Sequence, residues 1–280
     1  MITKTLRSLL TRKAPAPTKR LGATDTVAIP RGDRSQMTSD PALTRSLPSV
    51  TGPSRRVLVI ADKDSISLPD PLPDVDAVLS LGDIRDPGLV RVMTVVGENQ
   101  PSLPPLLYVR GNHDPDASFP MAREADPDSD KTMAKVWGFP RPRDFPWTTK
   151  DVHACAYEWS GMTVGGFGGS PRYRTGLPHG YDDEEVRAAL EDFPSVDIFL
   201  AHNSPEGIHD APDPAHQGFT AFLDYIERAC PRFFLHGHQH VNAVTRVKDT
   251  WVVGVYGSRI LDIPFDILPD LKDGASRANR

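Results

Sequence analysis

The stretch "RFFLHGHQH" at residues 232–240 decides the fold, because it joins an apolar run directly to a cluster of histidines. A short, continuous apolar run is typical of a strand that is buried on both faces. His236, His238 and His240 follow at alternate positions, so they point the same way only while the chain stays extended. Taken alone, the cluster is equally consistent with a polar turn whose histidines face water.

Similar apolar runs recur along the chain, and each of them ends in polar residues. They are "VLVIA" (57–61), "DAVLSLGD" (76–83), "PLLYVRGNHD" (105–114) and "DIFLAHNSP" (197–205). Helical patterns lie between several runs, and two segments read as hairpins. The helices are expected within 86–98, 182–193 and 217–230, and the hairpins within 153–167 and 242–256. The sequence therefore predicts an α/β sandwich, with mixed β-sheets flanked by helices.

The polar residues at the ends of these runs form a candidate site, because ligands bind at the carboxyl ends of strands in α/β sheets. One carboxylate after a strand usually caps a helix. Five successive runs that end in Asp, Asn or His are hard to explain in that way. The residues are Asp62, Asp64, Asp83, Asn112, His113, His202, His236, His238 and His240.

Charge is unevenly distributed in this chain of 280 residues, which is 39% hydrophobic and 25% charged. Residues 1–56 contain eleven Lys or Arg and three acids, a balance of +8, so the remainder carries −13. An acidic body argues against a nucleic-acid-binding groove and leaves nucleic acid only as a substrate. Composition predicts a basic, Pro/Ser/Thr-rich disordered extension over 1–54, a folded domain over 55–262 and a tail over 263–280.

The two cysteines, Cys155 and Cys230, are too few for a disulfide framework and indicate a reducing, cytoplasmic compartment. An organelle presequence at residues 1–20 is the alternative. No apolar stretch approaches the roughly 20 residues of a membrane span, so none is expected. The sequence does not indicate an oligomeric state.

The order of motifs, "D-x-D", "GD", "GNHD", "H" and "GHxH", resembles the calcineurin-like metallophosphoesterase superfamily from residue 56 to about 262. Three further segments resemble a branch of small bacterial phosphoesterases: "FGGSPRYRTG" (167–176), "YDDEEV" (181–186) and "HQGF" (216–219). The resemblance implies the sandwich fold of that superfamily and a site that holds two divalent metal ions.

In the ligand set that the resemblance implies, Asp83 bridges both ions. Asp62 and His240 bind the first ion, and Asn112, His202 and His238 bind the second. His236 lies outside the motif, so we expect it to support the ligands or pack. The superfamily usually has D-x-H where this chain has Asp62, Lys63 and Asp64. Either Asp64 binds the first ion, or that ion loses a ligand. A carboxylate there favours Mn²⁺, with Fe, Zn²⁺ or Mg²⁺ as alternatives.

The resemblance also implies hydrolysis of a phosphate ester by a hydroxide that the two metals activate. His113 would protonate the leaving group, and Asp114 would orient it. Arginines and an aromatic residue near the site are candidates for substrate binding: Arg110, Arg172, Tyr173 and Arg174. We expect a phosphodiesterase. The alternatives are a phosphomonoesterase or protein phosphatase, and a degenerate, non-catalytic binding protein. The connection over 115–147 is either a lid or an insertion without function.

Overall fold

The computed structural model describes residue 47, residues 52–114 and residues 147–265. The expected presequence, most of the 1–54 extension, nearly all of the 115–147 connection and residues 266–280 of the tail lie outside these residues. In chain order the elements are β1 Ser54–Ala61, β2 Ala77–Ser80, α1 Asp86–Asn99, β3 Leu106–Tyr108, β4 Thr149–Asp151, β5 Ala156–Trp159, β6 Met162–Phe167, β7 Ser170–Pro171, β8 Gly180–Tyr181, α2 Asp183–Leu190, β9 Ile198–Ala201, α3 Thr220–Ala229, β10 Phe233–His236, β11 Ala243–Val247, β12 Thr250–Gly254 and β13 Gly257–Pro264.

Two mixed sheets contain most of the strands. The first sheet has the order β13-β1-β2-β3-β4, and the second has the order β11-β12-β10-β9-β6-β5. In the first sheet β1 to β4 run parallel, and β13 pairs antiparallel with the whole length of β1. In the second sheet β12, β10, β9 and β6 run parallel, while β11 and β5 close hairpins at the two edges. Parallel strands bring their carboxyl ends to one edge of each sheet.

Alternation along β1 explains how the sheets and helices stack. Val57, Val59 and Ala61 belong to the core that also contains inward residues of the second sheet, such as Leu200 and Leu235. The intervening residues of β1 face the other way and pack with buried residues of α1. The outer face of the second sheet packs against α2 and α3. Because both faces of each sheet are covered, its strands are continuous apolar runs, as the sequence indicated.

The predicted fold class is confirmed. All five apolar runs are strands, all three expected helices form, and both expected hairpins are present. The prediction missed β13, which has three consecutive half-exposed residues, 258–260, and has Asp262 exposed near its end. It also missed the short strands β4, β7 and β8. No helix in the described part of the chain is long and apolar enough to cross a membrane.

Candidate metal centre

The candidate ligands lie where five parallel strands end, and several of them have an unusual backbone conformation. Asp62, Asp83, His238 and His240 have φ values of 60°, 54°, 62° and 51°. This left-handed region is uncommon for residues other than glycine, and such residues concentrate at functional sites. The chain therefore bends at each of these positions, which turns the side chains toward the edge shared by the strand ends.

Glycines let the loops after β2 and β3 approach each other closely. A Cβ atom on Gly111 would lie 2.0 Å from Oδ1 of Asp83 and 2.6 Å from Cε1 of His202. Gly82 has a φ of 95°, and a Cβ atom on it would lie 2.3 Å from the backbone nitrogen of Gly111. Only glycine fits at these two positions, so the "GD" and "GNHD" motifs are contact points between adjacent loops.

His202 is fully buried at the end of β9, and its hydrogen bonds leave Nε2 available to bind a metal. Nδ1 lies 2.8 Å from the carbonyl oxygen of Leu81, to which it donates. Nε2 lies 3.1 Å from Oδ1 of Asn112 and 3.4 Å from Oδ2 of Asp83. Metal-binding histidines usually donate their second ring N–H to a carbonyl or carboxylate, as His202 does.

Asn112 provides a second sign that the site is built for a cation. Its side chain is buried, yet Nδ2 has no hydrogen-bond partner among the described residues. Leaving a buried amide nitrogen unpaired costs about 1–3 kcal/mol. Because Oδ1 faces His202, the amide oxygen lies where a cation bound by His202 would also meet it. The donor set of carboxylate, amide and imidazole suits a divalent ion.

His238 completes a group of three that fits one cation. Its Nε2 lies 2.6 Å from the carbonyl oxygen of Ala215, to which it donates, so Nδ1 carries the free lone pair. Burial lowers the pKa of His238 to about 3, which keeps the ring neutral. One ligand atom each from Asp83, His202 and His238 lies within 4.8 Å of the others. Two ligands on opposite sides of one ion span about 4.2 Å, so these residues need only a small adjustment to bind it.

The charges of Asp83 and His202 depend on each other. Burial lowers the pKa of His202, but the nearby Asp83 carboxylate outweighs this and raises it to about 9. Burial would raise the pKa of Asp83, but His202 holds it well below its usual range. Burial also raises the pKa of Asp62 to about 7. Without a cation, the site therefore retains protons near neutral pH.

The other predicted ligands lie around this group but make different contacts. Both carboxylate oxygens of Asp62 accept the backbone N–H of His238, at 3.0 and 2.9 Å. His240 is exposed, and its ring lies against Tyr256 with 4.7 Å between centroids. Oδ1 of Asp64 accepts the backbone N–H of Arg85 at 3.0 Å, and Oδ2 lies 3.5 Å from Nε of the same arginine. In the structure, both carboxylate oxygens of Asp64 therefore face Arg85.

A cavity of about 250 Å³ opens over the strand ends. It contains seven of the predicted site residues and two that were not predicted, Arg85 and His216. Its lining is Asp62, Asp64, Asp83, Arg85, His113, Asp114, His216, His238 and His240. The "HQGF" segment was noted only as a sign of the branch, although it begins with His216. Arg85 had no motif to mark it.

His113 and Asp114 are both at the cavity, but Asp114 does not contact the imidazole of His113. The backbone N–H of His113 donates to Oδ1 of Asp83 at 2.8 Å, and its exposed side chain is available to a substrate. Oδ2 of Asp114 accepts the backbone N–H groups of Gly111 and Asp83, at 2.7 and 2.9 Å. Asp114 therefore orients the Asp83 carboxylate by fixing two loops, which differs from the role expected for it.

The four residues predicted to bind substrate do not line the cavity. Arg172 forms ion pairs with Asp182 and Glu185, next to the start of α2. These two acids already neutralise the charge of the arginine. The guanidinium of Arg174 lies over the ring of Tyr173. Arg110 has a largely buried side chain with Nε 3.8 Å from Oδ2 of Asp151. The arginine that the structure brings to the cavity is Arg85, whose side chain is 80% exposed.

The three histidines of the opening segment have different positions. His236 is fully buried away from the cavity, with Nδ1 at 3.0 Å from the carbonyl oxygen of Gly237 and Nε2 at 2.9 Å from Nδ1 of His209. Nε2 of His209 in turn lies 2.9 Å from Oγ1 of Thr245. Burial lowers the pKa of His236 to about 3 and that of His209 to about 4, so both rings stay neutral. His236 supports the backbone before His238, while His238 and His240 reach the cavity.

Comparison with known proteins identifies the family. The model of the calcineurin-like phosphoesterases matches residues 56–242, and no curated protein matches the chain. Among solved structures, the chain is similar to the TT1561 protein of Thermus thermophilus, with 18% identity, a TM-score of 0.42 and coverage of 73% of this chain and 90% of that one. It is also similar to vacuolar protein sorting 29 from Cryptosporidium parvum, with 13% identity, a TM-score of 0.34 and coverage of 72% and 73%. A diphosphatase of the PhnP family has 12% identity, a TM-score of 0.30 and coverage of 74% and 80%. The chain belongs to the calcineurin-like phosphoesterases, a family of dimetal-dependent hydrolases that act on phosphate esters.

Proposed function

We propose that the protein is a metal-dependent phosphodiesterase that uses two divalent cations, preferentially Mn²⁺. The observation that carries the proposal is the cluster of Asp83, His202 and His238, which lies under a cavity whose other walls include further carboxylates and imidazoles. Nδ1 of His202 is held by a carbonyl, and Asn112 has a buried, unpaired amide. These features suit a cation and have no role in a polar turn.

The bound cations would supply an activated water and a positive charge for the phosphate oxygens. The residues of this chain do the remaining work. Asp83 is held by the backbone of His113 and by the loop that Asp114 fixes, so its carboxylate stays oriented. Arg85, exposed at the cavity, binds a phosphate oxygen with its guanidinium. These contacts hold the phosphorus in line with the attacking water.

His113 completes the reaction as the proton donor. The water oxygen would give up one proton to solvent and bond to phosphorus while the bond from phosphorus to the leaving oxygen breaks. The imidazole of His113 gives a proton to that leaving oxygen. Its position beside Asn112 and its exposed side chain at the cavity support this role. The reaction needs no covalent intermediate on a protein side chain.

A diester is preferred over a monoester because the cavity reaches solvent through four exposed residues, Asp64, Arg85, His113 and His240. A diester carries an organic group on each side of the phosphorus and needs such an open site. The test compares bis(p-nitrophenyl) phosphate with p-nitrophenyl phosphate for the Mn²⁺-loaded protein. We expect a higher kcat/KM for the diester. Faster hydrolysis of the monoester would instead support a phosphomonoesterase or protein phosphatase.

A cytoplasmic location remains part of this proposal. Both cysteines, Cys155 and Cys230, are free thiols in the structure, which supports a reducing compartment. Fractionation of cells that express the full chain tests this, and recovery of the protein in an organelle fraction would favour the presequence interpretation.

A further inference from the structure

Both carboxylate oxygens of Asp64 already have a partner in the structure. The position that Asp64 was expected to fill at the first cation therefore lacks a ligand. Its two oxygens face the backbone N–H and the guanidinium of Arg85, and its side chain is 48% exposed. The Asp64 carboxylate also lies beside the start of α1, because its partner Arg85 directly precedes Asp86, the first residue of that helix. A negative charge is favourable at that end of a helix. These contacts are a sufficient structural role for Asp64, so its carboxylate is not needed to explain the metal centre.

His216 lines the same cavity, and Asp213 holds its imidazole through one ring nitrogen. Nδ1 lies 2.9 and 3.0 Å from the two carboxylate oxygens of Asp213. Nε2 has no hydrogen-bond partner in the part of the chain that the structure describes. A carboxylate that accepts one ring N–H and leaves the other nitrogen free is the arrangement usual for metal-binding histidines.

The loop that carries His216 is fixed to the segment of the proposed ligands His238 and His240. The carbonyl oxygen of Ala215 accepts Nε2–H of His238 at 2.6 Å. The carbonyl oxygen of His216 itself accepts an N–H of buried Gln239 at 2.9 Å, and Gln239 also contacts Asn203 and Ser204. The residues on either side of Gln239 are His238 and His240. The position of His216 is therefore set by the same segment that carries two of the ligands.

Ring distances agree with a shared ion. The ring centroids of His216 and His240 are 6.3 Å apart. The ring of His238, which belongs to the neighbouring Asp83 group, lies 5.2 Å from that of His216. Two imidazoles on one ion place their centroids up to about 6.4 Å apart, given a metal–nitrogen distance of about 2.1 Å. His216 and His240 both line the cavity, together with Asp62. These three residues provide two nitrogens and a carboxylate beside the Asp83 group.

We propose that His216, oriented by Asp213, is a metal ligand of this centre and binds the outer cation together with Asp62 and His240, while Asp64 stays paired with Arg85. This inference rests on the proposed metal-dependent function. The superfamily's D-x-H motif contains a histidine that the "D-x-D" motif of this chain lacks. The inference assigns the role of that histidine to His216, which lies in a different loop. The inner cation is bound by Asp83, His202 and His238.

The test measures metal binding rather than turnover. Metal-stripped full-length protein is titrated with Mn²⁺ by calorimetry and with Co²⁺ by visible absorption. Wild type should bind two ions in distinguishable steps. His216→Ala should weaken one step by about 10- to 100-fold and leave the other unchanged, and Asp213→Asn should weaken the same step by about tenfold. Asp64→Asn and the surface control Asp249→Asn should leave both steps unchanged, because neither residue is a ligand.

A His216→Cys variant gives direct evidence of coordination. A thiolate bound to Co²⁺ adds a charge-transfer absorption band that the wild type lacks, and this band should appear in the variant. Absence of the band, unchanged steps in His216→Ala, or loss of a step in Asp64→Asn would each overturn the assignment of His216. If wild type binds no divalent ion, the proposed function fails as well, so the two failures are distinguishable.

Discussion

At the scale of single residues, His202 and Asp83 determine how tightly the site holds protons. Each stabilises the charged form of the other, so the pKa of His202 rises to about 9 although burial alone would lower it. The stabilisation that this pair gives the metal-free protein is fully present below the usual histidine pKa of 6.5 and is lost as the pH rises through about 9. A cation at Nε2 must displace this proton.

Metal affinity should therefore rise with pH. We expect the dissociation constant for Mn²⁺ to fall about tenfold per pH unit between pH 7 and 9, as one proton leaves His202. Below about pH 7, protonation of Asp62 should steepen this dependence. Calorimetry in two buffers with different ionisation enthalpies measures the protons released. An affinity independent of pH above pH 7 would contradict this electrostatic account.

The two arginines that differ most between expectation and structure provide a matched pair of variants. Arg85 lines the cavity, while Arg172 is already paired with two acids. Arg85→Ala should raise KM for bis(p-nitrophenyl) phosphate by about tenfold or more, because a charged hydrogen bond contributes about 1.5–3 kcal/mol. Arg172→Ala should leave KM unchanged. The reverse result in steady-state kinetics would restore Arg172 as a substrate-binding residue.

Sequence patterns identified the candidate ligands but not the contacts between them. The apolar run before each polar residue located Asp83, His202 and His238 correctly at strand ends. The alternation of the three histidines was less informative, because His238 and His240 have positive φ and the chain is not extended there. Arg85 and His216 reach the cavity through contacts between distant segments, which no local pattern records.

At the scale of elements, the loops after β2 and β3 depend on close backbone contact. Gly111 lies against Asp83 and His202, and β2 and β3 are adjacent parallel strands. The position of the Asp83 carboxylate therefore depends on the absence of a side chain in the neighbouring loop.

A single methyl group should disrupt this contact. Gly111→Ala should lower kcat about 100-fold and weaken metal binding, because its Cβ would displace Asp83 by roughly 1 Å. Gly52→Ala is the control, since a Cβ atom there would meet nothing within 4 Å. Activity assays and Mn²⁺ titration of both variants measure the effect. Wild-type metal affinity in Gly111→Ala would show that the loops have more freedom than the structure indicates.

Strands with a continuous apolar run were predictable from the sequence. Short strands and strands with a mixed polar and apolar pattern were not. The strands around β1 and β10 are continuous apolar runs because both faces of each sheet are covered. β13 has a mixed pattern, with half-exposed residues at its centre, and is stabilised by pairing with β1 along eight residues. Its existence depends on tertiary pairing, which a local pattern does not record.

At the scale of the whole molecule, two sheets direct their carboxyl ends to one place. The first sheet contributes Asp62, Asp83 and Asn112, and the second contributes His202 and His238. The candidate centre thus lies where the two sheets meet, and each sheet supplies part of the proposed ligand set. The rule for strand ends in α/β folds predicted this convergence from the sequence. The geometry within the cavity required the structure.

The most direct test of the account is metal-dependent hydrolysis of bis(p-nitrophenyl) phosphate by wild type and Asp83→Asn, each stripped of metal and resupplied with Mn²⁺. The variant keeps the size of the side chain and removes the negative charge that Asp83 offers to a cation. We predict turnover only in the presence of metal and a loss of about 100-fold or more in the variant. Equal turnover in the two proteins, or turnover without metal, would contradict a catalytic metal centre at Asp83.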